Sequence, residues 1–146
     1  MSFEHRISNL MIVGEQGPDA IVYKRLDGIE IGYRWFLFNA PYTDEDIKYS
    51  LITRVVAEDG TILFESPSEA VVNQNAITLD DFKNGNNVTY PFISTINVKP
   101  EDDGFNQLQP GQVYELQFQI KDDESSLVRT YFLVKEEEND STGTSC

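Results

Sequence analysis

The stretch Val113-Tyr114-Glu115-Leu116-Gln117-Phe118-Gln119-Ile120-Lys121 decides the fold. Tyr114, Leu116, Phe118 and Ile120 alternate with Glu115, Gln117, Gln119 and Lys121, a period of two that an extended strand converts into one dry and one wet face. Pro110-Gly111 opens this strand, and Asp122-Asp123-Glu124-Ser125 closes it in a polar turn that returns into Leu127 to Val134. The two segments therefore predict a hairpin. In the returning arm Val128, Phe132 and Val134 share one parity with Arg129 on the other, where Tyr131 and Leu133 also fall and predict burial on both faces.

The same grammar recurs upstream. Ile29 to Phe38 places Ile29, Ile31, Tyr33, Trp35 and Leu37 on one parity, so Trp35 is expected in the core. Tyr49 to Ala57 is mostly apolar around Thr53 and Arg54, and Asp59-Gly60 leads into a return arm at Thr61 to Phe64. That pair predicts a tight hairpin turn with positive φ at both central positions. Tyr90 to Val98 is a further strand, with Tyr90, Phe92, Ile96 and Val98 on one parity and Pro91 near its start, where a missing ladder donor is tolerated. Ile7 to Val13 and Ala20 to Arg25 bring the set to about eight.

Between Glu65 and Val88 the alternation fades into Ser66-Pro67-Ser68, Asn73-Gln74-Asn75 and Asn84-Gly85-Asn86-Asn87. This reads as a long connection holding a short helical turn around Leu79 to Lys83 or an irregular edge strand. Residues 1–135 are expected to form one domain, and 136–146 a disordered acidic tail, since nothing apolar precedes Cys146 there. The fold class predicted is all-β, an immunoglobulin-like antiparallel sandwich, with a barrel or jelly roll as the alternative closure.

Composition narrows the function classes. A chain of 146 residues falls within the span of one domain, and 40% apolar residues with nine Phe, seven Tyr and one Trp suffice for a core. Twenty-five acidic residues against eleven basic ones give a formal charge of −14. Such a field repels phosphate backbones and anionic lipid, so direct nucleic-acid binding is disfavoured, while basic partners and cations are not. The single cysteine, Cys146, excludes an intramolecular disulfide framework. No signal-like start or membrane-length apolar run is seen, which predicts cytoplasmic residence, with a virion as the second setting.

The side chains of ordinary catalysis are scarce. The sole histidine is His5, near the N-terminus, and Cys146 sits in the tail, where nothing lowers a thiol pKa. No Cys/His zinc set, phosphate-cradling loop or dinucleotide fingerprint occurs, so neither a cofactor nor an enzyme is expected. Asp44-Glu45-Asp46, Asp80-Asp81, Glu101-Asp102-Asp103 and Asp122-Asp123-Glu124 could pair as glycosidase carboxylates, but each falls in an expected loop, where solvated turn residues are far commoner. None has the spacing of an EF-hand; Glu101, Asp102 and Asp103 are the candidates for calcium, with turn formation as the competing reading. Tyr42, Phe82, Tyr90 and Phe105, in or beside loops, are the candidate contact surface.

Three segments, Arg54-Val55-Val56-Ala57-Glu58-Asp59-Gly60-Thr61-Ile62-Leu63, Leu108-Gln109-Pro110-Gly111-Gln112-Val113-Tyr114-Glu115-Leu116, and Thr130 to Val134, resemble those of small bacterial Ig-like domains of uncharacterised function. The resemblance spans roughly the last two thirds of the chain and implies a mid-chain hairpin and a Pro-Gly-x-Tyr entry into the last one. It carries over a fold and no functional residues. The expected function is a non-catalytic protein-interaction or accessory module of a bacterial or phage assembly, with a protein partner or self-association. The competing readings are an acidic inhibitor that imitates DNA and a carbohydrate- or calcium-binding module; the residues name no small-molecule ligand.

Overall fold

Strand formation follows the alternation. The computed structural model describes residues 6–13, 20–38, 47–72 and 89–137. In them run β1 (Arg6–Val13), β2 (Ile21–Arg25), β3 (Gly28–Phe38), β4 (Ile47–Val56), β5 (Ile62–Val72), β6 (Thr89–Val98), β7 (Val113–Ile120) and β8 (Val128–Glu136), with a short α-helix, α1 (Asp103–Gln107), before β7 and a 3-10 turn (Glu124–Ser126) before β8. No helix among the described residues is long and apolar enough to cross a membrane.

β7 lies between β8 and β4, and β4 carries β5 on its far side. In the second layer β3 pairs along its whole length with β6, while its other edge is shared by β1, from Gly32 to Phe38, and β2, at Gly28 and Ile29. β2 then joins the layers by running beside β8, Ile21 opposite Leu133 through Lys24 opposite Glu136. The result is an all-β sandwich made from one curled eight-stranded sheet. The β2–β8 pair is parallel, a correction to the wholly antiparallel expectation. Parallel neighbours need a long crossover, and here nearly the entire domain between β2 and β8 supplies it.

The dry parities meet as predicted. Tyr33 and Trp35 of β3 face Phe118 of β7, with ring centroids 5.4 and 4.7 Å apart, and Trp35 stacks on Phe92 of β6 at 4.4 Å. Trp35, Tyr33, Phe118 and Phe132 are all essentially inaccessible to solvent, and burying each such side chain stabilises the fold by roughly 1.5–3 kcal/mol. Their polar atoms are answered inside the core: Tyr33 Oη and Thr53 Oγ1 share a hydrogen bond of 2.6 Å, and Trp35 Nε1 donates to Ser94 Oγ at 3.0 Å. Burial raises the Tyr33 phenol above its ordinary pKa because it penalises the phenolate.

The Pro110-Gly111-Gln112-Val113-Tyr114 entry, with one residue more than the expected spacing, has a physical reason. Tyr114 Oη accepts from Gln109 N at 2.7 Å and donates to Gln107 O at 3.0 Å, tying the start of β7 back onto the loop before it. This is the tyrosine corner of immunoglobulin-like sandwiches. α1 lies against β5 so closely that a Cβ on the buried Gly104 would fall 2.2 Å from Leu63 O.

Three local expectations change. β5 does not end at Phe64 but continues through Glu65-Ser66-Pro67-Ser68 to Val72. It is an edge strand, where one ladder partner suffices and Pro67 breaks nothing. At the β4–β5 hairpin only Gly60 has positive φ, at 90°; Gly60 N donates to Ala57 O at 2.9 Å, the three-residue form in which a left-handed glycine closes the loop. β8 also reaches Glu136, one residue into the stretch read as tail.

Candidate interaction surface

Outward parity places the functional candidates. In β1 the residue Asn9, at φ 54°, lies within a register shift between Ser8 and Met11, and beyond this bulge Met11 and Val13 stand opposite Arg34 and Gly32 of β3. On the other side of β3, Pro91, Ile93 and Thr95 of β6 stand opposite Phe36, Arg34 and Gly32. Arg34 therefore lies between Met11 and Ile93. Met11, Val13 and Ile93 are 43, 47 and 74% exposed, Pro91 is exposed and Phe36 half-buried. Arg34 Nη2 donates to Met11 Sδ at 3.5 Å, and among the described residues no carboxylate pairs with it. The acid of this face, Glu30, lies toward one end, opposite Asn97.

The outer face of β5, β4, β7 and β8 is chemically different. Arg54 Nε meets Glu65 Oε2 at 2.7 Å and its Nη1 donates to Gln119 Oε1 at 2.9 Å; Lys48 meets Glu69 at 3.0 Å. Glu115 accepts from Gln117 Nε2 and faces Arg129 at 3.9 Å. Here the charges answer one another, and exposed apolar residues such as Val71, Val113 and Tyr131 stand among them.

A cleft of about 410 Å³ opens at one end, between the Ala57–Thr61 turn, Gln107 and the start of β7. Its chemistry is largely spent on local structure. Asp59 Oδ1 accepts from Thr61 N at 2.9 Å, which holds that carboxyl below its ordinary pKa. Tyr114 Oη is committed to Gln107 and Gln109.

Of the candidate residues, Phe105 is half-buried on α1 with Lys24 Nζ 4.6 Å above its ring, and the same ammonium donates to Leu108 O at 2.8 Å. Both contacts fasten α1 to β2. Tyr90 lies in β6, paired in the ladder with Leu37. Tyr42, Phe82, His5, Cys146, the Asp44–Asp46 and Asp80–Asp81 carboxylates and the Leu79–Lys83 turn lie outside the described residues. Asp102 closes a turn, its Oδ2 accepting from Lys99 N at 2.8 Å; Asp103 is in the first turn of α1 and Glu101 is exposed. Among the described residues no three His, Cys, Asp or Glu side chains gather as a metal site, and Tyr131 is an exposed aromatic. The residues that do assemble, Met11, Val13, Arg34 and Ile93, were signalled by apolar side chains on the wet parity of their strands.

No family model matches the sequence, and no curated protein matches it. Solved structures share the fold. A glycosyl hydrolase family 2 member from Bacteroides cellulosilyticus superposes with a TM-score of 0.51 at 11% identity, covering 87% of this chain and 14% of that one. A putative β-galactosidase from Bacteroides fragilis gives 0.50 at 13% identity, covering 87% and 17%. A bacterial adhesin from Mobiluncus mulieris gives 0.50 at 11% identity, covering 91% and 57%. The chain thus spans a small part of the two hydrolase chains and just over half of the adhesin chain, and the likeness at these identities is one of fold.

Proposed function

We propose that this chain is a non-catalytic interaction module that contacts a protein partner through the outer face of β1, β3 and β6, as an accessory part of a larger bacterial assembly. The observation that carries the reading is the exposure of Met11, Val13, Pro91 and Ile93 around Arg34 in a chain of net charge −14. Several exposed apolar residues gathered on one sheet face are a mark of contact with another macromolecule, and an arginine among them is a composition favoured at interface centres. The similar folds also occupy only part of larger chains, as an appended module would.

The test compares three forms of the full chain in native extract: the wild type, a Val13→Glu/Ile93→Glu double variant, and Val71→Glu, which makes the same kind of change on the opposite face. The wild type and Val71→Glu are expected to elute within a species larger than the bare chain, and the double variant as the bare chain. A wild type that elutes as the bare chain, or a double variant that stays in the larger species, would overturn the reading.

A further inference from the structure

A glycine that the backbone does not require stands in the middle of this face. Gly32 lies on the outward parity of β3, paired with Val13 of β1 on one side and with Thr95 of β6 on the other. It is not among the residues of positive φ. The ladder with β6 is regular throughout, and the register shift of β1 lies between Ser8 and Met11, away from Val13. A Cβ at Gly32 would meet Val13 Cβ and O at 3.8 Å and Thr95 Oγ1 at 4.0 Å, ordinary van der Waals distances, so the fold has room for a side chain. Glycine weakens a strand interior, and where neither bulge nor bend uses it, it marks a place where another molecule approaches the backbone closely. Its effect here is a hollow floored by the Gly32 backbone and walled by Val13 and Thr95. The exposed Arg34 stands two residues along β3 in one direction, about 7 Å away at a rise of roughly 3.3 Å per residue, and the exposed Glu30 two residues along in the other.

We infer that the protein partner seats an aspartate or glutamate side chain in this hollow, with its stem over Gly32 between Val13 and Thr95 and its carboxylate on the Arg34 guanidinium. The inference rests on the reading of this face as the contact surface and names the chemistry of what covers it. Charge complementarity selects the group. The hydrogen bond from Arg34 to Met11 Sδ, at 3.5 Å, goes to a weak acceptor, and among the described residues no carboxylate pairs with this arginine. Its planar fork of N–H donors matches a carboxylate in bidentate fashion. A polyanion such as a nucleic acid is repelled by a chain of net charge −14. A single carboxylate carried among apolar residues instead suits one arginine framed by Met11, Val13 and Ile93. Glu30 sets the direction, since an incoming acid is repelled from that end of the hollow and drawn to the other.

Variants of the full chain test this, each read by elution from native extract and by the urea midpoint of the purified chain. Gly32→Val fills the hollow; it is expected to match or exceed the wild-type midpoint and yet to elute as the bare chain. Arg34→Gln removes the charge and is expected to weaken the larger species at least about tenfold on dilution. Arg34→Lys, which keeps the charge without the fork, should recover only part of that loss. Ser50→Val on the opposite face leaves the elution unchanged. The partner peptide photo-cross-linked from position 93, opposite Arg34, is expected to carry Asp or Glu within about three residues of the link. A Gly32→Val chain that stays in the larger species, a clearly lower midpoint for that variant, or a cross-linked peptide without a nearby acid would refute the seated carboxylate. If Val13→Glu/Ile93→Glu releases the chain while Gly32→Val and Arg34→Gln do not, the contact face stands and only the acid in the hollow is wrong.

Discussion

Two arginines show how the faces of this sandwich diverge. Arg54 points outward from β4 with Glu65 directly across the ladder, and the two meet at 2.7 Å. Arg34 points outward from β3 with Ile93 across one ladder and Met11 across the other, and its hydrogen bond goes to a thioether at 3.5 Å. Both side chains are placed by the same period of two. The residue opposite decides whether the cation meets a carboxylate or apolar neighbours across the ladder, because cross-strand neighbours are the unit of interaction on a sheet face.

The comparison can be broken at several depths. Its common support is Phe118, which touches Tyr33 and Trp35 of the other layer. Phe118→Ala is expected to cost about 3–5 kcal/mol, read as a lower urea midpoint, and to unsettle both faces together. A loss below about 1 kcal/mol would mean that the layers do not rest on a shared aromatic core. Tyr114→Phe leaves Gln109 N and Gln107 O without the hydroxyl that joins them and is expected to cost about 1–3 kcal/mol. Hydrogen exchange should then speed up first in the loop before β7.

The smallest effects sharpen the contrast most. Arg54→Ala breaks a pair whose arginine side chain is 20% exposed; it is expected to cost at most about 1 kcal/mol, and less at high salt. Arg34→Ala should change stability by less than about 0.5 kcal/mol, since among the described residues it gives up no ion pair. Equal, salt-sensitive losses from the two would show that Arg34 is held within its own chain after all.

The sequence disclosed the strands and their dry faces because alternation is a local signal, and the cores built on Tyr114 to Ile120 and Ile29 to Leu37 follow directly from it. It hid the extension of β5, since Glu65-Ser66-Pro67-Ser68 is as suitable for an edge strand as for a loop and the difference lies in having β4 alongside. The parallel β2–β8 pair was equally hidden, because no property of Ile21 to Arg25 names a partner a hundred residues away. The proposed contact face was hidden for a third reason. Aromatics near turns are the stronger sequence signal of a contact surface, while the assembled residues are three apolar side chains and an arginine, distant in sequence and joined only by register. Met11, Val13 and Ile93, apolar on the wet parity of their strands, were the local signs.

The central claim is that the chain makes its contacts through the outer face of β1, β3 and β6. Site-specific photo-cross-linking tests it directly, with the reactive group placed at position 93 or at position 129 of the full chain in native extract. The account predicts discrete cross-linked protein products from position 93 and none from the exposed outer position 129. Products from 129 with none from 93 would contradict it.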